Sequence, residues 1–197
     1  MIIEIGTSDF RTQAGQVDGV FIEPVKYYFD RMVRDAMSVL ELGKNKSHFE
    51  NVAISDYEGE VNIYSVKADN MLSMGAPEWM RGCNSIGKPH PSVISWCEAH
   101  SIDATEYTHK ETVKVVRIKS IIDKYKITEL DLLKIDTEGH DCVILNDYLN
   151  TVEILPKVIQ FESNELSDPK EVQKVVARLK SLGYTCEQVK FDMLCRL

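Results

Sequence analysis

Short apolar runs that stop abruptly alternate with amphipathic segments along this chain, and this alternation restricts its fold more than any other feature. The first two runs, residues 1–5 and 19–22, are rich in β-branched side chains and end at Gly6 and at Glu23-Pro24, as buried parallel strands do. Apolar side chains then recur at helical spacing over residues 25–40. The pattern predicts two strands followed by a helix that starts at a proline.

The same alternation continues to the C-terminus. Strand patterns occupy residues 112–118, 130–135 and 157–161, helical patterns occupy residues 120–125, 140–149 and 168–182, and two extended stretches fill residues 184–197. Alternating strands and helices predict an α/β fold with a mostly parallel sheet and helices on both faces. The closing pair of strands predicts an antiparallel edge.

One part of the chain interrupts this rhythm. Residues 51–55 predict a third strand, and a turn at 56–59 into a further strand at 60–66 predicts a hairpin. Residues 67–110 are rich in Met, Gly, Pro, His and Trp and contain one short helical pattern, at 92–100. Segments this long and irregular are usually functional or mobile. We therefore expect a single domain over residues 1–197 with a lid-like insertion at about residues 67–110.

Composition excludes several classes of partner. The formal net charge of −8 repels polyanions and no basic patch offsets it, so we expect no nucleic-acid partner. No basic and apolar leader begins the chain, and no apolar run approaches the roughly 20 residues that span a bilayer. We therefore expect a cytoplasmic protein without a membrane partner. Five cysteines without a CxxC pair predict reduced thiols.

Gly6 and Glu23 close the first two predicted strands, where open α/β sheets bind their ligands. A glycine lets the backbone approach a ligand closely, and a carboxylate at the second strand end can accept hydrogen bonds from ribose hydroxyls. The segment Gly6-Thr7-Ser8-Asp9 lacks the further glycines that a pyrophosphate needs. Its acid, together with Glu4, suits the cationic sulfonium and ammonium of S-adenosylmethionine better than a phosphate. The simpler alternative is a strand-ending turn at Gly6 and a helix cap at Glu23.

Residues 136–141, Asp-Thr-Glu-Gly-His-Asp, place three carboxylates and an imidazole at the end of a predicted strand. Acids crowded at the mouth of a crevice raise one another's pKa and so supply a base, or they bind a divalent cation. The structural alternative makes Thr137 a helix cap, with Glu138 and Asp141 complementing the helix dipole. That alternative leaves Asp136 unexplained.

The segment Leu133-Lys134-Ile135-Asp136-Thr137-Glu138-Gly139-His140-Asp141 resembles the signature of the FkbM-type methyltransferases, whose fourth strand ends in LLKIDxEGxE. Residues 3–6, 21–24 and 51–59 resemble the first three motifs of that family, in the same order. Residues 158–162 match its fifth strand. The resemblance covers most of the chain.

This resemblance implies a Rossmann-like class I methyltransferase fold, a three-layer sandwich around a mostly parallel seven-stranded sheet with an antiparallel C-terminal pair. It also implies S-adenosylmethionine as the cofactor and methyl transfer to oxygen, such as a hydroxyl on a small molecule or glycan. Ser8-Asp9 departs from the family's Asn and Gly, and only about a dozen residues separate the first two strands. We therefore expect a cofactor pocket that is more open on that side, or one completed by a second chain of a homo-oligomer.

We assign the cofactor to the strand ends and the chemistry to the residues around them. The predicted cofactor contacts are Glu4, Gly6, Thr7, Ser8, Glu23, Pro24, Ser55, Asp56 and Asp136. The predicted catalytic residues are Asp136, Glu138, His140 and His90, and no residue is assigned to a metal. His90 lies in the lid between two prolines, and an imidazole suits a general base near neutral pH. The alternatives are a non-catalytic Rossmann-like module that retains cofactor or partner binding, and a nucleotide-dependent oxidoreductase.

Overall fold

Two β-sheets organise the chain in a computed structural model, which describes residues 1–6, 12–40, 45–66 and 75–197. In chain order the elements are β1 (Ile2–Ile5), β2 (Gly19–Ile22), α1 (Lys26–Leu40), β3 (Ser47–Glu50), β4 (Ala53–Ile54), β5 (Gly59–Val66), a 3-10 turn (Glu78–Arg81), β6 (Ser85–Ile86), α2 (Pro91–Ala99), α3 (Ala104–Tyr107), β7 (Thr108–Val116), α4 (Ile118–Tyr125), β8 (Leu132–Ile135), α5 (Asp141–Thr151), β9 (Val158–Glu162), α6 (Pro169–Ser181), β10 (Thr185–Val189) and β11 (Asp192–Arg196). None of the helices in these ranges combines the length and apolar character needed to cross a membrane.

The larger sheet has seven strands in the order β3-β2-β1-β8-β9-β11-β10. The first five of these strands run parallel to one another, and β11 runs antiparallel to both of its neighbours. The prediction of an α/β fold with a seven-stranded sheet and an antiparallel C-terminal pair is confirmed, and the sheet is mixed overall.

Successive residues of the central strands face opposite sides of this sheet, as the two-residue period of a strand requires. Ile3 and Ile5 of β1 are almost fully buried and pack in one cluster with α4, α5 and α6. On the other side, Ile2 and Phe21 pack against α1. Burying each such side chain contributes about 1.5–3 kcal/mol. The sheet is therefore held between two apolar layers, and the carboxyl ends of its parallel strands are fixed relative to each other.

The second sheet contains β4, β7, β5 and β6 in that order and corrects the prediction for residues 51–66. β7 lies between β4 and β5, pairing parallel with the first and antiparallel with the second, so the predicted hairpin is wrong. The third strand of the larger sheet is β3, which ends before residue 51. The β5–β7 ladder aligns residues 59–66 with residues 108–115. This long ladder satisfies more backbone hydrogen bonds than a pairing of β5 with the two-residue β4 could.

The segment predicted to be irregular, residues 67–110, is described from residue 75 onward. Residues 75–107 form the 3-10 turn, β6, α2 and α3. The predicted helix at 92–100 corresponds to α2. Met80, Cys97 and Tyr107 belong to a separate apolar cluster beneath these elements and are almost fully buried. This cluster fixes the segment on the edge of the second sheet.

Cys186 and Cys195 form a disulfide between β10 and β11, where they lie directly opposite each other. The prediction of reduced thiols is therefore wrong for this pair. Cysteine spacing did not indicate it, because the pairing depends on the register of two antiparallel strands. Cys83, Cys97 and Cys142 are buried free thiols. The predicted cytoplasmic location stays a prediction.

Candidate active site

The carboxyl ends of β1, β2 and β8 open onto one cleft, which we call the strand-end cleft. Its volume, counted together with the open solvent at its mouth, is about 540 Å³. Its lining consists of Ile5, Gly6, Glu23, Pro24, Ala53, Ile54, Ile63, Gly82, Asn84, Ser85, Ile86, Asp136, Thr137, Glu138 and His140. The fold thus brings four of the predicted cofactor contacts together here, namely Gly6, Glu23, Pro24 and Asp136.

Gly6 follows β1 and lies against Asp136, which follows β8. Its φ of +81° lies in the left-handed region, and its N–H donates to the Ile22 carbonyl at 3.0 Å. A Cβ on Gly6 would overlap the carbonyl oxygen of Asp136 and lie 2.9 Å from the carbonyl carbon. A glycine is therefore required here both by its conformation and by the approach of the neighbouring strand end.

Glu23 ends β2 with a carboxylate that is only 2% exposed and yet lines the cleft. Its Oε1 accepts a hydrogen bond from the Val25 N–H at 2.9 Å. Asn51 Nδ2 donates to the Glu23 and Pro24 carbonyls at 2.8 and 2.9 Å. The capping contact of the simpler sequence interpretation is thus present, and it orients the carboxylate at the wall of the cleft.

Glu4 does not line the strand-end cleft. Its carboxylate is 1% exposed and accepts hydrogen bonds from Lys134 Nζ at 2.8 Å, Thr12 Oγ1 at 2.9 Å and the Gln13 N–H at 3.1 Å. Lys134 lies directly opposite Glu4 in the β1–β8 pair, so an ion pair across two strands balances the buried charge. Glu4 as a cofactor contact stays a prediction. The predicted contacts Thr7 and Ser8 lie outside the described residues.

Ser55 and Asp56 form a hydrogen-bonded chain with His140. Ser55 Oγ donates to Asp56 Oδ1 at 3.1 Å and lies 2.9 Å from His140 Nε2. Because the hydroxyl proton goes to Asp56, neutral His140 carries its proton on Nε2 and its lone pair on Nδ1. Burial lowers the pKa of His140, and the charge of Asp56 partly opposes this effect. His140 lines the cleft, whereas Ser55 and Asp56 are not among its lining residues.

Asp136, Glu138 and Glu162 form a carboxylate cluster at the ends of β8 and β9. One oxygen of each lies within 4.8 Å of an oxygen of the other two. Burial, and then the charges of Glu138 and Asp136, raises the pKa of Glu162 to about 9, so Glu162 holds a proton at neutral pH when nothing else neutralises the cluster. Glu162 Oε2 is buried and has no hydrogen-bond partner among the described residues.

Asp141 links the ends of β8 and β9 through hydrogen bonds to its carboxylate. It is 1% exposed, and its Oδ2 accepts a hydrogen bond from Thr137 Oγ1 at 2.8 Å while its Oδ1 accepts one from the Glu162 N–H at 3.0 Å. Burial raises the pKa of Asp141 to about 6, and these hydrogen bonds partly oppose the rise. In the turn from Thr137 to Asp141, Glu138 and Gly139 both have positive φ values, 53° and 93°. Asp141 thus ties the turn after β8 to the end of β9.

His90 is the buried N-cap of α2. It is 3% exposed, and its Nδ1 accepts a hydrogen bond from the Ser92 N–H at 3.1 Å. Neutral His90 therefore carries its proton on Nε2. This nitrogen lies 3.4 Å from Glu138 Oε2 and makes no hydrogen bond within the described part of the chain. The Nε2–H of neutral His90 therefore lies beside the carboxylate cluster without a hydrogen bond to it.

A second cavity, which we call the adjoining cavity, borders the strand-end cleft. Its volume, counted together with the open solvent at its mouth, is about 650 Å³. It shares Ser85, Ile86, Thr137, Glu138 and His140 with the cleft, and Lys88, Pro89, His90, Pro91, Gly139 and Leu166 complete its lining. Three of the predicted catalytic residues, Glu138, His140 and His90, line this cavity, and Asp136 lines the cleft. A ligand in either cavity would therefore meet the same short segment after β8.

Sequence reasoning missed Glu162 and Asn84. Glu162 follows a clear strand pattern, and its place at a strand end is the same signal that identified Glu23 and Asp136. Asn84 Oδ1 is buried in the cleft lining without a hydrogen-bond partner among the described residues. No pattern marks Asn84, because it lies in a loop after the 3-10 turn.

A family model described as the methyltransferase FkbM domain matches residues 5–186. The chain therefore belongs to the FkbM methyltransferase family, as the motifs at the strand ends predicted. The crystal structure of Methyltransferase FkbM from Methylobacillus flagellatus KT is similar in fold, with a TM-score of 0.57 and 10% sequence identity. The similarity covers 100% of this chain and 43% of that one, so this chain spans less than half the length of its structural relative. No curated protein matches the chain.

Proposed function

We propose that this chain is an S-adenosylmethionine-dependent methyltransferase that methylates a hydroxyl on a small molecule or glycan. The observation that carries the proposal is the buried, oriented Glu23 carboxylate, which shares the strand-end cleft with Gly6. The strand order of the larger sheet supports a Rossmann-like class I arrangement. In open α/β sheets, the carboxyl ends of the strands are where ligands bind.

The strand-end cleft fits S-adenosylmethionine in polarity and charge. Ala53, Ile54 and Ile63 offer an apolar surface for an adenine ring, and the Glu23 carboxylate can accept hydrogen bonds from ribose hydroxyls. Carboxylates in the cleft attract a cationic sulfonium and would repel a pyrophosphate, which favours the methyl donor over a dinucleotide. When bound, the cofactor supplies an electrophilic methyl group.

The adjoining cavity is the best candidate for the acceptor site. The Glu138 carboxylate lines this cavity and can accept a hydrogen bond from a hydroxyl, while Leu166 and Ile86 provide apolar contact. Asp136 lies next to it in the strand-end cleft. Because the two cavities share Glu138 and His140, an acceptor held in one is adjacent to a cofactor held in the other. Orienting the two reactants in this way is the main contribution that an enzyme makes to a displacement reaction.

His140 is the residue best suited to take the proton of the acceptor hydroxyl. Its lone pair is on Nδ1 because Ser55 and Asp56 fix its tautomer. Its lowered pKa keeps the ring neutral, and so basic, at neutral pH. Asp136 and Glu138 would then orient the hydroxyl. The protonated Nε2 of His90 favours a donor role for this residue over the role of general base.

Transfer of a labelled methyl group tests the proposal. The purified chain is incubated with labelled S-adenosylmethionine and a native extract of small molecules and glycans, and labelled products are identified by mass spectrometry. We expect a product methylated on oxygen. The His140→Gln variant should still bind S-adenosylhomocysteine in calorimetry but should transfer label about 10²- to 10⁴-fold more slowly.

Two results would contradict parts of this account. Binding of S-adenosylhomocysteine without transfer of label to any fraction would favour the non-catalytic binding module. A His140→Gln variant as fast as the wild type would refute the assignment of the proton acceptor, while leaving the methyl transfer intact.

A further inference from the structure

The loop between the 3-10 turn and β6 forms one wall of the strand-end cleft. Gly82 and Asn84 of this loop, and Ile86 of β6, line the cleft. Met80 and Cys83 are buried in the apolar cluster beneath the loop. The Cys83 N–H donates to the Met80 carbonyl at 3.1 Å, and the Asn84 N–H donates to the Gly82 carbonyl at 2.7 Å. Packing and these hydrogen bonds therefore hold the loop against the cleft.

Asn84 has a buried side-chain oxygen that the surrounding protein does not satisfy. Its Oδ1 accepts no hydrogen bond within the described residues, although buried polar atoms normally have a partner. Its Nδ2 faces the other way and donates to the Arg81 carbonyl at 3.5 Å. Turning the amide over would place two acceptors against each other, so the oxygen stays on the side that lacks a donor. A ligand that completes this site therefore has to offer an N–H or an O–H to Asn84.

The surroundings of Asn84 limit the kind of molecule that can offer this donor. Ile86, two residues after Asn84, pairs with Ile63 across the β5–β6 ladder, and all three residues line the cleft. Ala53 and Ile54 add to the same apolar lining. A flat ring with an amino group at its edge matches both features, because the ring covers the apolar side chains while the amino group donates to the oxygen. Adenine is such a ring.

Gly82 leaves space in the cleft that its own backbone conformation does not require. Its φ of −77° and ψ of −22° suit any L-residue. Among the described residues other than its chain neighbours, the atoms nearest to a Cβ built on Gly82 are Glu138 Oε1 at 3.6 Å and the Trp79 carbonyl oxygen at 3.7 Å. Both are ordinary contact distances. At Gly6, in contrast, the protein itself excludes a side chain. The space beside Gly82 is therefore available to a ligand.

We propose that Asn84 is a specificity-determining residue that accepts a hydrogen bond from the amino group of adenine, and that Gly82 leaves room for the adenosine beside it. The inference rests on the proposed function, in which the strand-end cleft holds the methyl donor, and adds the contact that selects the base. Hypoxanthine has a carbonyl oxygen where adenine has this amino group, so it would place an acceptor against the Asn84 oxygen. A site built around a hydrogen bond rejects the analogue that lacks it, because the buried partner is left unpaired.

The test compares two ligands that differ only in the base, S-adenosylhomocysteine and S-inosylhomocysteine, by calorimetry with the full chain. We expect the wild type to bind the adenosine compound at least about tenfold more tightly than the inosine compound. Asn84→Ala should lose this preference, so that the two dissociation constants agree within about threefold. Asn150→Ala is the matched control and should keep the wild-type preference, because Asn150 is exposed in α5 and is not among the residues that line the cleft.

Gly82→Leu tests the space rather than the hydrogen bond. The backbone conformation accepts leucine, but its side chain fills the wall of the cleft, so both compounds should bind at least about tenfold more weakly and by a similar factor. Melting curves check that each variant is folded.

Three results would count against specific parts of this account. Equal binding of the two compounds by the wild type, or the full preference in folded Asn84→Ala, would overturn the role of Asn84. Wild-type affinity in folded Gly82→Leu would overturn the role of Gly82. Binding of neither compound by the wild type would instead contradict the proposed function on which the inference rests.

Discussion

Gly6 lines the strand-end cleft and has a left-handed backbone conformation. Gly87 provides a matched comparison, because both glycines have a φ of +81°. Apart from Gly87 and its two chain neighbours, no atom of the described residues lies within 4 Å of a Cβ placed on Gly87. At Gly6, the carbonyl oxygen of Asp136 occupies the space that a Cβ would need, in addition to the left-handed conformation.

Replacing each glycine by alanine separates these two effects. We expect Gly87→Ala to lower the free energy of unfolding by about 1–2 kcal/mol, the cost of a left-handed alanine. Gly6→Ala should lower it by about 3 kcal/mol or more, since the added methyl also forces β1 and β8 apart. Urea denaturation followed by circular dichroism measures both. Equal losses in the two variants would mean that the approach of Asp136 carries no cost of its own.

His140 should make stability depend on pH. Its pKa in the folded chain is lowered below the value of 6.5, so the unfolded chain binds this proton more readily. The stabilisation is present above pH 6.5 and is lost as the pH falls through the folded pKa. Between pH 7.5 and pH 5, we therefore expect the melting temperature of the wild type to fall further than that of His140→Gln. Parallel falls in the two proteins would contradict the direction of the shift.

Single residues show where sequence reasoning succeeds and where it stops. Gly6, Glu23 and Asp136 could be predicted because each ends a strand pattern, and parallel strands bring their carboxyl ends together. The ion pair of Glu4 with Lys134 could not, because it depends on the β1–β8 register. The donor role of His90 depends on a hydrogen bond within its own helix cap, which the sequence pattern around it did not indicate.

At the scale of elements, the disulfide between β10 and β11 makes a direct prediction. Denaturation in iodoacetamide without reductant should label the three free cysteines, and prior reduction should raise the number to five. Reduction should also lower the free energy of unfolding by about 2–4 kcal/mol, since the closed loop restricts the unfolded chain. Labelling of all five cysteines without reductant would show that the pair is not joined.

The elements also differ in how far local pattern determines them. α1, α5, α6, β8 and β9 were predicted within a few residues, because their apolar periodicity matches the burial that the fold imposes. The hairpin over residues 51–66 was not, because β5 pairs with β7, which lies more than forty residues later in the chain. Local turn signals cannot report a pairing partner that is distant in sequence.

For the whole molecule, ligand-dependent stability distinguishes the methyl donor from a dinucleotide. A ligand that binds only the folded chain stabilises it by about 2.7 kcal/mol at a hundredfold excess over its Kd. We expect S-adenosylhomocysteine to raise the melting temperature and NAD at the same concentration to leave it unchanged. A larger shift with NAD would support the nucleotide-dependent oxidoreductase instead.

The most direct test of the central claim, that the strand-end cleft binds the ribose of an adenosine through Glu23, is calorimetry with S-adenosylhomocysteine. Glutamine at position 23 can still accept the Val25 N–H but lacks the charge, so Glu23→Gln should bind at least about tenfold more weakly than the wild type. Glu153→Gln, at an exposed position after α5, should bind as the wild type does. Wild-type affinity in Glu23→Gln, or no binding by the wild type, would contradict the account.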